Sequence, residues 1–444
     1  MGELLYRCRP QACKRHPEWA YGAVIYELNV RQFSPEGTFA AVREQLPRLR
    51  ALGVDVLWLM PIFPIGEERR KGTLGSYYSV RDYRAVNPEF GTFDEFRALV
   101  EAVHGAGMRM ILDWVPNHTS RDAVWVGQHP EWYKRNSETG EIATPYDWTD
   151  TAQLDYDNPE MRRGMTEAML FWLRETAIDG FRVDMAMLEP LAFWEGCVPE
   201  LEVFMAAGGR ELFMLAEAEG PEFHRVAFDA TYAWEVHHLM VDVAQGRVSA
   251  PATALRESLR REAEAYPTDA LRMRFTSNHD ENSWNGSEFA RFGEAVRTMT
   301  ALTYLLPGMP LIYNGQEAGS ERQLAFFDKD CIDWGTSRRE EWTAFYRELN
   351  ALRHSHAALQ GGMRGGDLYA MDNSLSDKVF AVKRRVGEAL VLGLFNLSPD
   401  HADFEVLDED FNGSFRQIGS PERAMLRSQA HFYLPPWGCF VYFV

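Results

Sequence analysis

Eight short apolar runs of strand length, each separated from the next by a longer stretch, constrain this chain more than any other feature. They cover residues 24–28, 54–60, 108–115, 180–185, 212–216, 230–234, 271–276 and 310–313. Amphipathic helical patterns fall between them, among them residues 92–104, 159–176 and 288–305. Strands that alternate with helices are what a parallel sheet covered by helices requires, and eight such units are enough to close into a (β/α)8 barrel. The expected class is therefore α/β. Two stretches break the alternation. Residues 119–150 are polar, carry Trp and Tyr, and are too long for an ordinary connection, which predicts a short excursion domain after strand three. Residues 360–444 change to β-rich runs without long helices, which predicts a C-terminal antiparallel β-sandwich domain. The barrel is then built from residues 1–118 and 151–359.

Composition excludes several classes of function. A formal charge of -19 and a pI near 5.1 set a generic phosphate-binding surface against whole-protein repulsion, so nucleic acid is not an expected partner. A mean hydropathy of -0.34 and the lack of any long apolar run argue against a membrane-spanning protein. The five cysteines are scattered and odd in number, which argues against a disulfide framework and for a reducing compartment. With no apolar segment resembling a leader near Met1, a cytoplasmic location is expected. Cys8, Cys13 and His16 lie close enough in sequence to be weighed as a metal clip, but a fourth ligand and a knuckle spacing are missing, so no metal is expected there. Nothing in the sequence specifies an oligomeric state.

In a barrel the carboxyl ends of the strands face the active-site mouth. Strand three ends in Asp113-Trp-Val-Pro-Asn117-His118, strand four in Gly180-Phe-Arg182-Val-Asp184, strand five in Leu215-Ala-Glu217-Ala-Glu219, and strand seven in Asn278-His279-Asp280. Arg182 and Asp184 are two apart and share a strand face, which must be the interior, since burying both on the helix-packed exterior would be costly. Arg182 beside Asp184 favours the ionised, nucleophilic form, while a second carboxyl raised by like charges can serve as general acid. One nucleophile and one acid flanking a scissile bond is the arrangement for glycoside hydrolysis with retention. Glu217 and Glu219 have the same parity, so strand geometry alone allows either to be the acid.

In the order and spacing of these motifs the chain resembles the α-amylase family, glycoside hydrolase family 13. The resemblance runs from Tyr26-Glu-Leu-Asn-Val-Arg-Gln-Phe-Ser34 through Gln153-Leu-Asp-Tyr-Asp-Asn-Pro159 to Gly308-Met-Pro-Leu-Ile-Tyr-Asn-Gly-Gln-Glu317 and the β-rich tail. It implies Asp184 as nucleophile, Glu217 after the small Ala216 as acid/base, and Asp280 as the carboxylate that positions sugar hydroxyls. His118 and His279 are implied as hydrogen-bonding partners of the sugar at the cleaved position, and Arg182 as the orienter of the nucleophile. The segment Ser76-Tyr-Tyr78-Ser-Val-Arg-Asp82-Tyr83 resembles the family's Gly-Tyr-x-x-x-Asp-Tyr element, which places Tyr78 under that sugar and adds Asp82 to the substrate-binding set, with Tyr77 where glycine is usual.

The implied activity is a retaining hydrolase of α-1,4 bonds in α-glucans or maltooligosaccharides. A glucosyltransferase or isomerase of the trehalose-forming type, or an α-glucosidase, would use the same site, and a non-catalytic accessory subunit would be expected to lose the carboxylates. The short excursion favours oligosaccharides over granular starch. Many relatives bind calcium between barrel and excursion, with a Lys-His pair three and four residues after the nucleophile. Here those positions are Met187 and Leu188, and although Asn117 matches another ligand of that site, no cofactor is expected to be required and calcium dependence is doubtful.

Overall fold

The computed structural model describes residues 2–7 and 13–444. All eight expected strands form. They are β1 (Ile25–Leu28), β2 (Val56–Leu59), β3 (Arg109–Trp114), β4 (Gly180–Val183), β5 (Phe213–Ala216), β6 (Ala230–Tyr232), β7 (Leu271–Arg274) and β8 (Met309–Tyr313). Each pairs in parallel with its neighbours, and β8 pairs with β1, so the sheet closes into a barrel. Closure buries both faces of every strand, which is why the runs read as apolar throughout. Gly180 is required where β4 meets β5, because a Cβ there would lie 1.8 Å from the Phe213 carbonyl oxygen.

Alternate residues of each strand point to the barrel axis. Ile25, Val56, Trp58, Ile111, Phe213, Leu215, Tyr232, Met273 and Leu311 belong to one buried cluster that fills the barrel. The same alternation, carried to the carboxyl ends, brings Glu27, Asp113, Arg182, Asp184 and Glu217 inward in place of apolar side chains.

The outer helices start where local chemistry sets them. Helix Phe93–Gly105 opens with a capping box, the Thr92 hydroxyl accepting from Glu95 N and the Glu95 carboxylate accepting from Thr92 N. Helix Pro159–Glu175 has Pro at its first position behind an Asn158 cap. The expected continuous helix over 288–305 is instead broken into Glu288–Phe292 and Val296–Leu305, joined by a 3-10 turn that begins at Gly293, whose φ is +53°.

The domain limits also shift. The excursion is closed by an antiparallel ribbon of His118–Ser120 with Thr151–Gln153, so it reaches slightly beyond residues 119–150 at both ends. The C-terminal part forms a seven-stranded sheet faced by the ribbon Ala402–Glu405 with His431–Leu434. Strand Glu3–Tyr6 pairs antiparallel with Asp367–Ala370 at the edge of that sheet, so the N-terminal strand, expected with the barrel, belongs to the C-terminal sheet. Its four residues carry no sign of which edge they will cover; only the free edge of a sheet more than 360 residues later supplies the partner. No helix among the described residues is long and apolar enough to cross a membrane.

Candidate active site

A cavity of about 340 Å3 opens at the carboxyl ends of the barrel strands, lined by Tyr78, His118, Asp184, Glu217, His279 and Asp280 together with Lys71, Trp148, Asp150, Trp284, Phe326 and Phe327. Arg182, fully buried at the end of β4, organises its floor. Its Nη1 donates to Asp113 Oδ1 at 2.8 Å and to Asp184 Oδ1 at 3.0 Å, and its Nε donates to the Tyr232 hydroxyl at 3.1 Å. Its Nη2 lies 2.8 Å from Glu217 Oε2 but off the N–H axis, so this contact is an ion pair rather than an aligned hydrogen bond. The same Glu217 oxygen accepts from Met185 N at 2.8 Å.

Glu217 and Glu219 are thereby distinguished. Glu219 turns away to pair with Arg272 at 2.6 Å and to accept from Glu235 N, so Glu217 is the one of the two that reaches the cavity.

One guanidinium thus serves three buried carboxyl groups, those of Asp113, Asp184 and Glu217. Burial pushes Asp184 well above the usual carboxylate range; Arg182 opposes this, and Glu217 and Asp113 add to it. Burial likewise raises Asp113 to about 6, against the pull of Arg182 and His279. Arg182 favours the ionised form of Asp184, as expected, but burial outweighs it there, and the same Nη1 is shared with Asp113.

The two histidines carry opposite charge states. His118 lies tilted against Trp148 with ring centroids 5.1 Å apart, and Asn117 Nδ2 donates to its Nδ1 at 3.2 Å, which places the ring hydrogen on Nε2. Burial lowers its pKa to about 4, so the ring is neutral. His279 has its Nδ1 2.5 Å from Glu27 Oε1, and its Nε2 2.7 Å from the Tyr78 hydroxyl and 3.3 Å from Asp280 Oδ2. Burial acts to discharge this ring, but Asp280 and Glu27 outweigh it and keep His279 an imidazolium. That cation, outweighing burial, holds Asp280 down at about 2. Trp284 Nε1 donates to Asp280 Oδ1 at 3.2 Å and fixes its other oxygen.

Tyr78 is the cavity aromatic. Its hydroxyl donates to Asp113 Oδ2 at 3.0 Å and its ring stacks on Phe326, whereas Tyr77 is buried against Arg31. Asp82 is a correction. It does not line the cavity: its Oδ1 accepts from Arg84 N at 2.9 Å and closes a local turn, while Tyr83 beside it is anchored to the Val115 and His118 carbonyls. Sequence reasoning assigned no role to Glu27, Trp58, Lys71, Trp148, Trp284 or Phe326. For Glu27 the signal was present, since a lone carboxylate in an apolar strand at an inward position needs a partner. The loop aromatics have no period to reveal them.

Asn117 and Leu188, with Glu189, line a separate cavity beside Lys134 and Asp157. Both oxygens of the buried Glu189 carboxyl lack hydrogen-bond partners, and burial, reinforced by Asp184, raises its pKa well above the usual range and keeps it protonated. The cavity's side-chain oxygens, from Asn117, Gln153, Tyr156, Asp157 and Glu189, surround the Lys134 ammonium, a poor match to the ~6–8 oxygens that calcium takes. Of the weighed Cys8, Cys13 and His16 grouping, Cys8 lies outside the described residues. Cys13, His16 and Asp269 do converge. Both His16 nitrogens are already bonded, Nδ1 to Asp229 at 2.8 Å and Nε2 to the Asp269 carbonyl at 2.9 Å. Burial opposes a charge on that ring, but the Asp229 bond prevails and raises its pKa to about 10, leaving no free lone pair for a metal.

The family description "Alpha amylase, catalytic domain" matches residues 21–139 and 130–358. Alpha-amylase MalA of Haloarcula japonica is 29% identical over 386 residues, which is 83% of this chain and 54% of that protein, so this chain spans about half the length of that relative. Among solved structures, a noncanonic maltogenic alpha-amylase, AmyB of Thermotoga neapolitana, superposes with a TM-score of 0.84 at 27% identity, covering 96% of this chain and 99% of that one. An alpha-amylase from Lactobacillus plantarum gives 0.83 at 28% identity, with the same coverage of 96% and 99%. With the family description matched across the whole barrel and the carboxylates gathered at its mouth, this chain belongs to the α-amylase family.

Proposed function

We propose that this protein hydrolyses α-1,4-glucosidic bonds of α-glucans or maltooligosaccharides with retention of configuration. The observation that carries the reading is that Asp184 and Glu217 both lie within 3.0 Å of one guanidinium, that of Arg182, at the base of a cavity with an aromatic wall. Carboxyl groups drawn to one cation favour the close spacing of a retaining pair, about 5–5.5 Å, over the wider gap of an inverting one.

The first step requires the proton to sit on Glu217 and not on Asp184: Glu217 gives it to the leaving glycosidic oxygen while the Asp184 carboxylate attacks the anomeric carbon, the C–O bond to the leaving sugar breaks and an ester to Asp184 forms. Water then enters on the opened side. Glu217 takes its proton, the hydroxide oxygen bonds the anomeric carbon, and Asp184 leaves as carboxylate. Tyr78 lies under the apolar face of the ring, the Nε2–H of neutral His118 donates to a sugar hydroxyl, and Asp280 accepts from others. No metal or cofactor takes part in these steps. Four free cysteines among the described residues support a reducing, cytoplasmic setting.

The test is a proton NMR time course on maltoheptaose, with chromatography of all products. The reading expects the α-anomer of the new reducing end to appear first. An initial β-anomer overturns retention, and trehalose or other transfer products without net hydrolysis overturn the hydrolase in favour of a glucosyltransferase.

A further inference from the structure

The cavity has two unlike ends, and the strand order identifies them. In the closed barrel β5, which ends in Glu217, lies opposite β1. Glu217 protonates the leaving oxygen, so the departing part of the substrate lies on its side and the retained part on the side of β1. That far side is occupied by residues 66–75, which follow β2, and residues 325–329, which follow β8, the two strands flanking β1.

These segments are joined to each other. Leu74 N donates to the Phe327 carbonyl at 2.9 Å, and Thr73 N and Oγ1 both donate to Asp328 Oδ1, at 2.8 and 2.5 Å. Gly72, at φ +62°, is packed so closely that a Cβ would lie 2.4 Å from Phe327 Cβ. The other end of the segment is tied to the excursion: Glu67 N donates to Asp122 Oδ2 at 3.0 Å, and Lys71 pairs with Asp150 at 3.3 Å. Residues 66–75 therefore bridge the excursion and the β8 loop as a wall across from Glu217. Lys71, the one lysine or arginine among the described lining residues, faces the cavity from the middle of that wall, half-buried beside the buried Asp150.

We propose that this wall closes the retained end of the site and that the Lys71–Asp150 pair recognises the non-reducing terminus of the glucan, the ammonium donating to its terminal hydroxyls and the Asp150 carboxylate accepting from them. The inference deepens the hydrolase reading and rests on it. It makes the enzyme exo-acting: a terminal glucosyl or maltosyl unit fills the closed end and the rest of the chain extends past Glu217. A cavity of about 340 Å3 is at the small end of ligand sites, in keeping with a short retained segment. Asp150 is buried and Lys71 half-buried, so a substrate lacking the matching hydroxyls leaves a buried carboxylate short of partners and is disfavoured.

The experiment compares 4-nitrophenyl maltoheptaoside with the same compound carrying a 4,6-O-ethylidene block on its non-reducing glucose. The wild-type protein is expected to cleave the free substrate and to act on the blocked one at least about tenfold more slowly, in the direction a site built around hydroxyls requires. Its first product should be a short sugar from the non-reducing end. Lys71→Ala is expected to narrow the difference between the two substrates to a few-fold, a ratio that a merely structural role would not move. Equal rates on both substrates with the wild-type protein, or internal cleavage of the blocked one, would refute the closed end while leaving hydrolysis intact. Cleavage of neither substrate overturns the hydrolase reading and this inference with it. A K71A protein that keeps the full discrimination removes Lys71 from the recognition.

Discussion

Replacing His118 with Gln should make the protein more resistant to acid unfolding. His118 is 3% exposed, its Nδ1 accepts from Asn117, and burial depresses its pKa from 6.5 to about 4. Between these two values the unfolded chain binds a proton at this residue that the folded protein refuses. Stability must then fall as pH drops from about 6.5 toward 4, and the loss is complete below the folded value. An interval of about 2.5 pH units at ~1.4 kcal/mol each amounts to about 3.5 kcal/mol, of which about 3 kcal/mol is lost by pH 4. Burial depresses His224 and His237 too, with the same sign. His16, raised to about 10, acts oppositely: its contribution is fully present below pH 6.5 and is lost as pH rises through 10. The wild-type stability contribution of these histidines therefore peaks near pH 6.5. Because glutamine does not titrate, the variant-minus-wild-type difference isolates the His118 contribution. Urea unfolding followed from pH 7 to 4 should show that difference moving by about 3 kcal/mol in favour of the variant, whatever its starting value at pH 7. Parallel curves, with a difference constant to within ~0.5 kcal/mol, would refute the claim that the buried ring is held neutral.

Two further outcomes are expected. Asp184→Asn and Glu217→Gln should each remain folded and lose at least ~100-fold in turnover, whereas Glu219→Gln, whose side chain faces Arg272, should keep turnover within a few-fold; substantial activity in Glu217→Gln would reassign the acid. A chelator should leave activity and melting temperature unchanged, because the cavity beside Asn117 sets the Lys134 ammonium among few side-chain oxygens; a sharp fall in melting temperature that added calcium reverses would show a metal-dependent fold.

The barrel was legible because burial on both strand faces is a local property, written into runs such as residues 108–115 and 212–216 wherever they occur. The candidate site was legible to the same depth: Asp113, Arg182, Asp184, Glu217 and Asp280 stand at or just past strand ends, and strand ends face the mouth. Loop residues were less so. Asp82 shares a motif with Tyr78, yet its carboxylate closes a turn on Arg84 rather than reaching the cavity.

Wherever two residues were alike in sequence, the tertiary structure decided between them. Glu217 and Glu219 share parity, and the nearest guanidinium separates them: Arg182 takes one and Arg272 the other. His118 and His279 are the same residue type at comparable strand ends, yet one is neutral and the other charged, because only the second meets Glu27, 252 positions away in the chain. Asp184 has Arg182 two residues away, and still its proton affinity depends on Asp113 and Glu217, which compete for the same guanidinium. Periodicity belongs to neighbours along the chain and so can be read from the sequence alone. Charge state belongs to desolvation and to partners brought from elsewhere, and these exist only once the barrel has closed.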